Sequence, residues 1–370
     1  ATGTMEQPRT TFVADARGMG WVAKARKANN SVLHASGEAW LAKANVKAEA
    51  RDINVKASGT AKGFDPAAFG SPLAGSINGS FDANGRLGKD WGGSAGINLQ
   101  QSTLSNAPLW GHARLAGSAQ RIASADVDLH VGPNVLAARG AFGAPSDRLD
   151  WRVDAPQLAV LGGDFGGALR GSGTLSGTAQ APALTASLDG QDLKLFGVHQ
   201  VKALRASANL GARLGGATPM VSDVAITGYT NGTTRVDSAR LQTNGTRAAH
   251  TISLVARGEA FDGSTQVRGG WNGNAWAGIV DSLQNKGRYA FTLKQPTPLR
   301  LSVAPGAGAL GLMRPQQIAL NNAVIALPEG SISIASLNKD GARWSSKGAA
   351  SGVPLNYVAQ FSQAMRDNVR

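Results

Sequence analysis

Gly92-Gly93-Ser94-Ala95-Gly96 matches G-x-S-x-G, the turn that presents a nucleophilic serine in many hydrolases. That chemistry needs a strand before the serine, a helix after it, and acid and histidine partners further along. Here Ile97-Asn98-Leu99 reads as another strand, so a glycine-rich turn is the better reading. Gly306, Gly308 and Gly311 form G-x-G-x-x-G, which holds a dinucleotide phosphate only where a helix follows. Pro315 comes too soon for that helix, and the segment reads as a loop. The five histidines, His34, His112, His130, His199 and His250, never stand two, three or four residues apart, so no zinc pair is spelled out. Asp126 and Asp128 share one face of a strand, a spacing that suits a paired acid and base. They alternate with Val127 and Leu129, and the wet side of that strand explains them more simply. The chain has no cysteine, which excludes thiol catalysis, thiolate metal sites and disulfides. The sequence thus spells out no catalytic residue, no metal ligand set and no cofactor site.

Charge gives a second test. There are 37 basic and 24 acidic side chains, a net charge of +13. The basic residues are spread along the chain, with Lys24, Arg26 and Lys27 the densest cluster. Neither an aromatic RNA-binding string nor a basic helical stripe accompanies them, so no nucleic-acid partner is expected. Such a spread suits solubility and weak attraction to anionic lipid surfaces. Tryptophans such as Trp40, Trp91, Trp110 and Trp271 read as large caps at sheet ends or rims. No apolar run approaches the ~18 residues of a spanning helix, and no signal peptide opens the chain.

The elements that must carry these residues are strands. In Ala125-Asp126-Val127-Asp128-Leu129-His130-Val131 every second residue is apolar, and Ala42–Ala50, Tyr289–Leu293 and Ser331–Ile334 alternate likewise. One dry and one wet face per strand is the mark of antiparallel sheet. Asn-Gly pairs at 78–79, 84–85, 231–232, 244–245 and 272–273, and Asp-Gly pairs at 189–190, 262–263 and 340–341, read as hairpin turns. Their spacing predicts roughly thirty short strands. Helix is scarce: single turns after Asp65-Pro66 and at Pro156–Leu161, and a longer one from Pro354 to Val369. The strings at 32–40, 135–143 and 253–261 resemble one another around Gly37, Gly140 and Gly258. They suggest one continuous body with about three loosely repeated units, near 1–70, 71–175 and 176–370, and no boundary stronger than the loop at 304–311.

A one-sided sheet must cover its dry face. With so little helix and so many small residues, including 48 glycines, the sheet is expected to curl into a long trough with an apolar interior. The fold class is therefore all-β, an elongated, curled, antiparallel-rich sheet with few short helices.

GALRGSGTLSGTAQAPALTASLDGQDLKL (167–195), SDRLDWRVDAPQLAVLGGDFGG (146–167), GFDPAAFG (63–70) and WNGNAWAGIVDSLQNKGRYAFTLKQPTPLRLS (271–302) resemble the TamB family of the AsmA-like superfamily. The likeness covers about residues 30–360 and rests on structural patterns, not active-site signatures. It implies a β-taco, a U-shaped trough bridging inner and outer membranes in the periplasm of a Gram-negative bacterium. It implies phospholipid acyl chains sliding in the groove, a TamA-type outer-membrane barrel partner, and an inner-membrane anchor. The anchor and the far C-terminal segment of the family are missing here, so the chain is expected to be an internal part of a longer protein.

The expected function is a non-enzymatic lipid conduit that supports outer-membrane biogenesis. The alternative is chaperone-like binding of outer-membrane protein strands. A β-solenoid adhesin lacks its strict repeat here, and three tyrosines cannot furnish the girdles of a membrane barrel. Each CH₂ moved from water into such a trough gains about 0.8 kcal/mol. The residues expected to line it are Val127, Leu129, Val131, Leu188, Leu193, Leu195, Ile252, Leu254, Tyr289, Phe291, Leu293, Ile332 and Ile334.

Overall fold

Strict alternation, β-branched residues and the near absence of helix caps leave the chain one regular option, the antiparallel ladder. A computed structural model describes residues 9–17, 32–41, 53–69, 71, 73–88, 91–179, 181–211, 217–259, 261–303 and 315–354. The alternating run at 42–50, the Lys24 cluster, the glycine string at 306–311 and the helix expected after Pro354 lie outside them or nearly so. The described residues form 22 strands, two 3-10 turns and no α-helix. Among them, no helix is long and apolar enough to cross a membrane.

The chain divides into two units, Ala1–Ala179 with Ala186–Gln200, and Gln180–Thr185 with Val201–Arg370. In the first unit the strands follow in order: β1 (Arg9–Arg17), β2 (Val32–Leu41), β3 (Ile53–Phe64), β4 (Gly75–Leu87), β5 (Gly92–Leu104), β6 (Ala107–Ser118), β7 (Arg121–Val131), β8 (Asn134–Phe142), β9 (Arg148–Ala155) and β10 (Gly166–Gly177). Each pairs antiparallel with the next, an uninterrupted meander from β1 to β10. β11 (Pro182–Leu195) and β12 (His199–Leu210) follow.

In the second unit β13 (Met220–Thr230), β14 (Arg235–Gly245), β15 (His250–Gly258), β16 (Phe261–Asn272) and β17 (Ala275–Asn285) form a second meander. β17 then pairs with both β18 (Phe291–Leu293) and β19 (Thr297–Ser302). These two share β20 (Gln317–Ala326), which leads to β21 (Ser331–Asp340) and β22 (Arg343–Ser351).

The strands are fewer and longer than the turn pairs predict. Asn231-Gly232, Asn272-Gly273 and Asp340-Gly341 do make hairpin turns, with positive φ at each glycine. Asn78-Gly79 and Asn84-Gly85 run inside β4, Asp189-Gly190 inside β11 and Asp262-Gly263 inside β16, while Asn244-Gly245 ends β14. There glycine meets a packing need instead. A Cβ on Gly79 would strike the Asn98 carbonyl of the neighbouring strand, and one on Gly190 would lie 2.7 Å from Leu193 Cδ1. The strand expected from Tyr289 begins only at Phe291, because Tyr289 sits in a bend whose carbonyl accepts from Asn285 Nδ2 at 2.7 Å.

The two short turns fall at Pro66–Phe69 and Leu158–Leu161, the first opened by Pro66 after Asp65 and the second two residues after Pro156. Asp65 Oδ1 accepts from the amides of Ala67 and Gly75, both at 3.0 Å, which fixes the first turn to the start of β4.

Candidate functional site

Residues directly opposite one another in an antiparallel ladder point to the same face. The registers therefore trace rows across the first unit. One row reads Ala14, Ala35, Gly59, Phe81, Ile97, Ala113, Val127, Ala138, Trp151 and Gly173 from β1 to β10. The rows on either side, through Ala125 and through Leu129, hold only Ala, Gly, Val, Leu, Ile, Phe and Trp. Three consecutive rows across ten strands thus carry no polar side chain.

The other face is its complement. The row beside Val127 there reads Asp15, His34, Thr60, Ser80, Asn98, His112, Asp128, Ala137, Arg152 and Ser172. Asp126 meets Arg139 at 3.2 Å and His112 at 3.5 Å, and Asp128 meets His130 at 2.9 Å. All three contacts lie on the wet face, and Asp126–Arg139 is an ion pair. The bond from Arg139 holds the Asp126 carboxyl below its ordinary value, Arg148 does the same to Asp150, and Arg152 to Asp154. The five histidines do not converge, and no group of three or more metal-ligating residues occurs among the described residues. Gly92–Gly96 opens β5 and is followed by strand, so Ser94 stands on no elbow.

Part of the apolar face stands open among the described residues. Ile97 is 39% exposed, Leu115 48% and Leu136 47%. A cavity of about 460 Å³ opens on it, walled by Val55, Leu87, Trp91, Leu115 and Ile122. Its floor is main chain, because Gly85, Gly93 and Gly117 are neighbours in register on β4, β5 and β6. A Cβ on any of the three would run into the carbonyl of an adjoining strand. Among the described residues, Arg86 and Arg121 are the charged ones that line the cavity. Arg121 is held to Asp147 by bonds of 3.0 and 3.2 Å, and this contact keeps the Asp147 carboxyl below its ordinary value.

At the far ends of the same strands the face is closed. Val160 of the second 3-10 turn lies over Gly132, and Leu73 lies against Gly162. Ala107, Leu109, Ala155 and Leu158 are buried there. The segment is tied down by Ser105 Oγ donating to Leu161 O (3.3 Å), by Asn134 and Gln157 exchanging two bonds, and by Lys194 Nζ donating to Gly163 O (2.7 Å). Phe165 and Phe196 meet edge to face at 5.5 Å.

In the second unit the corresponding face is mixed. Val224, Leu241, Leu254, Thr265 and Leu283 share a row, and the next holds Ser222, Thr243, Ile252, Val267, Val280 and Thr297. Thr243, His250, Asn285 and Thr297 are all buried. His250 Nε2 accepts from Trp276 Nε1 at 2.9 Å while its Nδ1 lies 2.9 Å from Thr246 O, so the imidazole carries its proton on Nδ1. Asn285 Oδ1 accepts from the amides of Asp262 (2.9 Å) and Gly287 (3.1 Å).

The residues named from sequence fall as follows. Val127 and Leu129 lie half-buried in the uninterrupted rows, and Val131 stands opposite buried Leu109 at the closed edge. Leu188 lies 2.5 Å from where a Cβ of Gly171 would stand, so it shares their face. Leu193 is buried and Leu195 half-buried. Ile252 is half-buried, and Leu254, opposite Leu241, is exposed. Phe291 pairs with Asn285, Leu293 with Ile325, Ile332 with Ile325 and Ile334 with Ala323, so these four share the face of Leu283. Tyr289 stands off the ladder in its bend. Ile97, Leu115, Leu87 and Trp91 escaped the sequence reading, because register, not local alternation, brings them together. Of the tryptophans, Trp91 flanks the cavity, whereas Trp110 stacks on His130 on the wet face at 3.6 Å.

The family described as "TamB, N-terminal domain" matches residues 37–311, well over half of the chain. Neither the curated proteins nor the solved structures return a match.

Proposed function

The chain belongs to the TamB family, and from that membership we propose that it is a segment of a lipid conduit, carrying phospholipid acyl chains between the two membranes along its apolar face. TamB proteins are Gram-negative envelope components of transport or assembly, associated with TamA-type partners, and are not enzymes. In this reading the chain works in the periplasm. The loosely repeated stretches near 1–70, 71–175 and 176–370 are repeats of one sheet-forming pattern. The lining comprises Val127, Leu129, Val131, Leu188, Leu193, Leu195, Ile252, Leu254, Phe291, Leu293, Ile332 and Ile334, with Tyr289 beside them, and to these we add Ile97 and Leu115.

The observation that carries the proposal is the set of three rows without a polar side chain, left open at Ile97, Leu115 and Leu136. Hydrophobic attraction is non-directional, so such a lining holds a hydrocarbon without fixing it in place. Polypeptide capture, the competing role, fits that face less well. β2 to β9 are paired on both edges, so their backbone offers nothing to an incoming strand. A peptide lying there would bury its own amides without partners, at a cost of about 1–3 kcal/mol each.

Mass spectrometry of lipids that co-purify with the chain tests the proposal, phospholipid being the expected companion. Leu115→Arg and Leu254→Arg are expected to reduce bound lipid several-fold while the unfolding midpoint holds. Parallel loss of lipid and folding would count against the conduit. Photocrosslinking from position 115 to polypeptide instead of lipid favours the chaperone role.

A further inference from the structure

The two long edges of the first unit's apolar face differ, and that difference orients an amphiphile lying on it. One edge carries the β5–β6, β7–β8 and β9–β10 connections, and there residues 156–165 roof the strand ends. Leu158 is buried, Val160 sits over Gly132, and hydrogen bonds reach Ser105 in the β5–β6 turn, Asn134 at the start of β8 and Lys194 near the end of β11. The other edge carries the β4–β5, β6–β7 and β8–β9 turns. Its apolar residues stand open, Leu87 at 59% and Trp91 at 50% exposure, and the cavity of about 460 Å³ lies just inside it.

The lining chemistry says what fits. The walls are alkyl and indole, the floor is glycine main chain already paired on both sides, and the charged residues present, Arg86 and Arg121, are both cations. Among the described residues no carboxylate lines the cavity. An alkyl tail satisfies the walls without leaving a polar atom unpaired. The tail's polar end can reach water at the rim, where Arg86 and the Arg121–Asp147 pair lie.

We infer that the first unit holds an amphiphile in one orientation, its tail in the cavity beside Leu115 and its polar end emerging at the edge of Arg86, Trp91 and Arg121, with the edge under residues 156–165 closed to it. The inference rests on the lipid reading above and adds to it the side on which the headgroup travels. The closed edge cannot serve as the exit without breaking the Asn134–Gln157 pair and exposing Leu158.

Two photoactivatable phosphatidylethanolamine probes, one with the diazirine on the headgroup and one with it at the tail's end, are incubated with the full chain. Peptide mapping of the adducts reads the result. The tail probe is expected to label residues around Ala95, Ile97 and Leu115, and the headgroup probe residues 85–92 and 116–122. Headgroup adducts on residues 156–165, or spread equally over both edges, overturn the orientation while leaving lipid binding intact. Absence of adducts from both probes anywhere in the first unit removes the lipid reading itself. Ala95→Trp, which fills the cavity from an exposed position, is expected to lower tail labelling at least five-fold. Ala159→Trp, on the exposed side of the closing turn, is expected to leave it unchanged. Unchanged labelling in Ala95→Trp overturns the cavity as the tail site.

Discussion

The first and second units build the same kind of ladder and treat its dry face in opposite ways. Across the first, Ala, Gly and larger aliphatic or aromatic residues follow one another with no polar side chain in three rows. Across the second, Thr243, His250, Asn285 and Thr297 are set into the face, all buried. A buried polar group must find its partners within the protein, and His250 and Asn285 do so with Trp276, Thr246, Asp262 and Gly287. That part of the second face is committed to its own internal contacts. The first face confines such groups, Ser102 and Asn134, to its closed edge, and its three inner rows keep large apolar residues in the open. Alternation alone therefore makes a dry face, and the polar insertions decide whether the protein fills it.

The comparison is sharpest under truncation. Trp276→Ala in the second unit removes an almost fully buried indole and leaves His250 Nε2 without its donor. About 3–5 kcal/mol of stability should be lost, read as a fall in the urea midpoint. Leu115→Ala, on the open first face, should cost less than about 1 kcal/mol. Equal costs would break the distinction. Next comes His250→Leu, which keeps bulk but orphans the Trp276 N–H, for about 1–3 kcal/mol. A neutral outcome would mean that the polar cluster is incidental to that face.

The smallest effect is set by the wet faces. Asp126, Asp147, Asp150 and Asp154 in the first unit, and Asp223 in the second, are all held below the ordinary 3.8 by arginine bonds. The unfolded chain takes up protons first, so this stabilisation is whole above about pH 5 and fades as pH falls through the depressed values. The groups are solvent-exposed, so the loss should be slight and weaker still in high salt. Urea titrations between pH 7 and 3 should show it more in the first unit than in the second. A rise in stability on acidification contradicts the pairing.

Much of this was legible in the residues, for physical reasons that also mark where legibility stops. Ala125–Val131 announces its dry and wet sides because alternation is local, and strand β7 follows it. Pro66 and Pro156 announce short turns because proline acts within a few residues. Asp189-Gly190 looks like a hairpin and is the middle of β11, since its glycine answers to Leu193 and not to a reversal of the chain. Ile97 meets Phe81 and Ala113 only through register, which depends on bulges such as the one between Leu99 and Ser102. The closing of one edge by residues 156–165 depends on partners fifty residues away, such as Ser105. Nothing in the local string signals it.

The run of Gly85, Gly93 and Gly117 has one further consequence. Side chains can rotate aside for a guest, but a bed of peptide planes has no rotamers to offer. Whatever rests there must adapt to a fixed contour from below, while side chains such as Val55, Leu87, Trp91, Leu115 and Ile122 can shift around it. Accommodation is thus confined to the sides, and redesign for a bulkier guest has to begin with those five positions.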